Sequence, residues 1–106
     1  MNSLTQSLTG VGAIISAAHK SSDGIVHGHT WEIIAWFDGE PDAVQKQREL
    51  EAYLKIFDHS ILRDDVASGE ALGRAIIYGL GCVKVDVNRP LERIYAKVSK
   101  WPLTVK

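Results

Sequence analysis

The chain has 106 residues, 45% hydrophobic and 24% charged, with twelve basic against thirteen acidic side chains and a formal net charge of -1. This describes one domain, residues 1–106, with an ordinary apolar core, and the balanced charge gives no sign of a nucleic-acid or membrane partner. Cys82 is the single cysteine, which excludes an intrachain disulfide, and the short apolar run near the start makes neither a signal peptide nor a membrane span, so a cytoplasmic location is expected.

Residues 1–10 are polar and rich in Ser and Thr, a frayed terminus or a polar edge strand. Residues 12–18 form a short apolar strand ending at His19, and "KSSDG" at 20–24 has turn chemistry. A long β-branched and aromatic strand follows at 25–37, completing a hairpin. Alternation along it puts His27, His29, Trp31 and Ile33 on one face and Thr30, Glu32, Ile34 and Trp36 on the other.

"DGEP" at 38–41 stops the strand, and Pro41 suits a first helical turn. Leu50, Tyr53, Leu54 and Phe57 then recur at helical spacing on an otherwise polar segment. "DHSILRDD" breaks the pattern. Ser68 is an N-cap for a second helix in which Leu72, Ile76 and Leu80 align and which Gly79 and Gly81 close. Residues 82–90 read as a connector or weak strand, 91–99 as a strand, and 101–106 leave room for one short strand more. The order ββααβ(β) implies an α+β layer, an antiparallel sheet with two helices on one face. The opposite sheet face needs cover, and closing the sheets of several subunits into a barrel would supply it.

Three of the four histidines lie within eleven positions, His19 on the first strand and His27 and His29 on the second, with Gly28 leaving room between them. Three imidazoles converging from neighbouring strands with no fourth protein ligand is the pattern of a catalytic zinc that keeps one position open. Such a site is generic, so a hydrolase using zinc hydroxide on another small substrate stands as a third, weaker reading.

The later motifs narrow the choice. "AAH", "HGHTWEI", "FDHSIL" and "SGEAL", in that order over residues 10–99, resemble the family of 6-pyruvoyl- and 6-carboxy-tetrahydropterin synthases, and the chain reads as a divergent member. The resemblance implies the tunnelling fold, with the barrel formed by oligomerisation into a trimer or hexamer, and a small pterin-like substrate of the dihydroneopterin triphosphate type. It also implies zinc on His19, His27 and His29, where the metal acts as a Lewis acid on the substrate side chain. Asp58 and His59 match the family's proton-transfer pair, and Glu70 matches a substrate-binding Glu.

Three departures stand out. Asp23 occupies the position, four before His27, where the family has a catalytic cysteine. An unperturbed Asp, with pKa about 3.9 against about 8.5 for Cys, is the weaker base, and in "KSSDG" it is equally a turn residue. No acid follows Glu92, so the Glu expected to anchor the pterin ring is missing, and 97–100 reads "KVSK" there. The first helix reads "VQKQRELEAYLK" instead of opening on an acidic-aromatic segment. Glu70 also suits a helix first turn on dipole grounds, Cys82 reads as a small buried residue, Trp31 and Trp36 as core or interface residues, and Lys20, Lys55 and Arg63 as solvated charges that a triphosphate would attract. Two readings follow: a zinc-dependent pterin synthase-like lyase with Asp23 as base, and a catalytically degenerate paralogue that binds metal or ligand.

Overall fold

The computed structural model describes residues 5–100. Two long strands, β1 (Leu8–Lys20) and β2 (Val26–Asp38), pair antiparallel over their whole length, with Leu8 facing Asp38 at one end and Lys20 facing Val26 at the other. Strict alternation sets the two faces. Val11, Ile15, Ala17 and His19 of β1 and Trp31, Ile33, Ala35 and Phe37 of β2 are buried on one side, as a period of two requires. The hairpin turn rests on Asp23, whose Oδ1 accepts the Ser21 hydroxyl at 2.6 Å and the Ile25 N–H at 2.9 Å.

Helix α1 (Ala43–Leu54) begins two residues later than Pro41 suggests, because Asp42 is the N-cap and accepts the Gln45 N–H at 3.2 Å, which leaves Pro41 just outside the helix. It packs on β1 through Leu50 and Leu54. Phe57 lies past the helix end, in a turn whose N–H reaches Leu54 O at 2.9 Å, and it is still buried. Helix α2 (Gly69–Leu80) keeps both sequence boundaries: Ser68 Oγ accepts the Ala71 N–H at 3.0 Å, and Gly81 closes the helix at φ 72, a left-handed conformation that glycine adopts without steric cost. Tyr53 ties the helices together by donating its hydroxyl to Ala75 O at 3.0 Å.

The sheet is larger than ββααβ implies. Residues 60–61, inside the apparent break, form a short strand, β3 (Ser60–Ile61), parallel to β1, so the sheet is mixed. The weak segment 82–90 contains a full strand, β4 (Lys84–Arg89), antiparallel to β2, and β5 (Ile94–Ser99) completes the order β3-β1-β2-β4-β5. The possible strand at 101–106 lies outside the described residues.

Both helices cover the same face, α1 over β1 and α2 over β4 and β5. Gly69 and Gly73 permit the close approach of α2, since a Cβ at Gly73 would meet Val98 Cγ2 at 2.8 Å. The opposite face is half polar: Trp36 donates its indole N–H to Asp86 Oδ2 at 2.9 Å, whereas Ile14 is 69% exposed. No described helix is long and apolar enough to cross a membrane. Cys82 is fully buried, and burial pushes its thiol up to about 11, which keeps it protonated and inert.

Gly73→Val should therefore force α2 off β5 and cost about 1–3 kcal/mol, read as a lowered urea midpoint. Gly28→Ala, where an added Cβ meets no atom within 4 Å, should stay within about 0.5 kcal/mol of the parent chain.

Candidate active site

His19 and His29 come from adjacent strands on the buried face, and their Nε2 atoms lie 3.0 Å apart. The His19 ring is held from behind by a hydrogen bond, whereas the His29 ring has only a nearby carboxylate. His19 Nδ1–H donates to Ala67 O at 2.7 Å, at the entrance to α2. His29 Nδ1 is buried, with Glu92 Oε1 at 3.5 Å, an ion-pair distance too long for a formed hydrogen bond. A neutral imidazole that keeps its proton on Nδ1 presents a bare lone pair at Nε2. The edge of both rings meets Trp31, at centroid distances of 5.4 and 5.8 Å, and Trp31 is fixed in turn by donating to Ala17 O at 2.9 Å.

Into the space between the two lone pairs comes a side chain that the motifs did not single out. Arg89 Nη1 lies 2.9 Å from His29 Nε2 and 3.2 Å from His19 Nε2, while its guanidinium carbon sits 5.5 Å from the centre of the Trp31 ring. No carboxylate among the described residues forms an ion pair with it. Burial, followed by the Arg89 charge, holds the His29 imidazole below its ordinary pKa and so favours the neutral ring. The alternation of Val85, Val87 and Arg89 in β4 carried the signal: a lone Arg ending an apolar stripe has to find acceptors on the buried face.

The third histidine stands apart. His27 shares a face with His29, with rings 6.2 Å apart and nearly parallel, but its Nε2 points to Asp23 Oδ2 at 3.6 Å and the side chain is 43% exposed. Asp23 is held below the usual carboxylate range chiefly by the Ser21 hydroxyl and the Ile25 N–H. Among the described residues no three His, Cys, Asp or Glu side chains are gathered tightly enough to hold a metal ion. The donor set nonetheless suits zinc at two points. Two nitrogens around one tetrahedral zinc are separated by about 3.3 Å, close to the 3.0 Å found here, and His27 completes the set if it turns from Asp23.

Asp58 and His59 lie at the sheet edge. Asp58 Oδ1 accepts the Ser16 N–H at 2.9 Å and lies 3.1 Å from His59 Nδ1. His59 has a left-handed backbone, φ 58, which turns its ring outward and leaves it 81% exposed. His59 and His29 line a shallow depression of about 580 Å³ with Gly28 and Glu92. His19 and Arg89 line a separate cleft of about 370 Å³, which the exposed Lys20, Ser68 and Glu70 also line. Of the other candidate charges, Arg63 pairs with Asp65 at 3.3 Å, and Lys55 is exposed.

No family model matches the chain, and no curated protein matches it in sequence. Among solved structures it is similar to 6-pyruvoyl tetrahydropterin synthase of Caenorhabditis elegans, with TM-score 0.65 and 16% identity over 93% of this chain and 99% of that one. The likeness establishes the architecture: the chain has the α+β tunnelling fold, with its sheet open within one copy.

The Ser16 N–H, and after it the neighbouring His59, holds the Asp58 carboxyl below its ordinary value. Stability from Asp58 is therefore complete above about pH 3.8 and is lost as pH falls through the lower folded-state pKa. The urea midpoint should drop less between pH 5 and pH 3 in Asp58→Asn than in the parent chain.

Proposed function

We propose that the chain is a zinc-dependent lyase of the pterin synthase type, acting on a substrate of the dihydroneopterin triphosphate class. The observation that carries this reading is the pair of Nε2 atoms 3.0 Å apart, with His19 held from behind by Ala67 O, in a chain whose fold is that of a solved pterin synthase. His19, His29 and a rotated His27 are the residues that would hold the metal. When bound, zinc supplies a Lewis acid that polarises substrate oxygen and makes the neighbouring C–H groups more acidic.

The protein's own groups would move the protons. Asp58 orients His59 through Nδ1, which frees Nε2 to take or give a proton over the depression that His29 also lines. Glu70 and Lys20 both line the cleft next to His19, where they would face a substrate. Asp23 fits the part of base less well. One of its oxygens is used twice within its own turn, and its lowered pKa weakens it as a proton acceptor.

That last observation favours a second reading, in which the chain keeps the metal and the ligand pocket and has lost the lyase reaction. The two readings separate by experiment. Under the first, purified protein holds one zinc per chain by elemental analysis, His29→Ala loses both zinc and turnover, and His59→Ala keeps zinc while kcat falls about 10²-fold or more. Zinc-replete protein that binds a dihydropterin without turning it over supports the second. Zinc-replete protein that neither binds nor converts pterins overturns both.

A further inference from the structure

Arg89 is the one cation inside the histidine pair, and its geometry is specific. Its Nη1 carries two hydrogens and can only donate. It lies 2.9 and 3.2 Å from two nitrogens that are themselves 3.0 Å apart, a nearly equilateral arrangement in which each hydrogen has one lone pair to meet. The guanidinium is always charged and has no carboxylate partner among the described residues, so these lone pairs and the Trp31 ring are what compensate its partial burial. The lone pairs it engages are the same ones a metal would need, and a lone pair cannot serve both.

We infer that Arg89 is an intramolecular competitor of the metal: a resident cation that keeps His19 and His29 converged in the metal-free protein and has to withdraw before a metal ion binds. This rests on the metal reading given above. The Arg89 backbone is fixed as the last residue of β4, where the following Pro90–Arg93 turn begins, and its long side chain borders the cleft that Lys20, Ser68 and Glu70 also line. The head group therefore has somewhere polar to go when it is displaced. Two consequences follow. The histidines stay arranged without metal, and metal affinity is lower than an open histidine site would give, because binding first breaks two charge-assisted hydrogen bonds.

The test is a zinc titration at pH 7.5 against a chromophoric chelator, with the parent chain, Arg89→Met and Arg89→Gln, and each of these also carrying His29→Ala. Both Arg89 variants should bind zinc about tenfold or more tightly than the parent, and His29→Ala should abolish binding in every background. In the metal-free state Arg89→Met should melt at a lower temperature than the parent, and saturating zinc should close that gap. In the parent chain, zinc should shift the arginine Nε–H resonance that is missing from Arg89→Gln. If the parent binds zinc and both variants bind it with equal or lower affinity, the competitor role is overturned and the metal site stands. If no form binds zinc, the metal reading fails and the competitor role fails with it.

Discussion

The pairing of β1 with β2 is the constraint on which the rest of the molecule depends. The two strands run in one uninterrupted antiparallel register from Leu8 opposite Asp38 to Lys20 opposite Val26. A slip of one residue would turn His29, Trp31 and Ile33 out to the other face and empty the core of its largest side chains. Because the register is held along the whole hairpin, α1 finds an apolar floor on β1, and β4 pairs with β2 so that Arg89 arrives level with Trp31. The site is thus a product of sheet register more than of loop geometry. His19 and His29 sit one step apart along the ladder, opposite His27 and Ala17.

Features encoded locally were legible in the sequence. The faces of β2 follow from alternation, the boundaries of α2 from Ser68 and Gly81, and the burial of Cys82 from its apolar setting. Features that depend on distant partners were not. Segment β3 has only two residues and is held by backbone bonds, such as Leu62 N–H to Ala18 O at 2.8 Å, which no side-chain pattern announces. Strand β4 shows the right alternation, but with only Val85 and Val87 as its apolar members it looks like a connector until β2 and β5 flank it. The clustering of His19 with His29 was readable from spacing. The turn of His27 towards Asp23, four residues back, belongs to the competing local chemistry of the hairpin turn.

The two aspartates at issue show how the same residue type takes different work from its surroundings. Both are held low by hydrogen bonds, Asp23 by the Ser21 hydroxyl and then the Ile25 N–H, Asp58 by the Ser16 N–H. Asp23 closes a hydrogen-bonded loop on its own turn, with Ser21 and Ile25, and is committed to local structure. Asp58 reaches across to Ser16 and so ties the end of the α1 segment to the sheet, while the same oxygen lies beside His59. The left-handed backbone at His59, uncommon outside glycine, is the price of turning that imidazole to the open side.

The turn between β4 and β5 joins two facts that look separate. Arg89 enters it at one side and addresses Nε2 of His29, and Glu92 follows three residues later and stands by Nδ1 of the same ring. A carboxylate on that side favours a proton on Nδ1, and a cation on the other favours none on Nε2, so both ends of one turn ask for the same tautomer. The imidazole is held as a neutral acceptor for the guanidinium. Under the proposed metal reading, exchanging guanidinium for metal ion would leave the His29 Nδ1 proton in place and would move two side chains, Arg89 away from the pair and His27 away from Asp23.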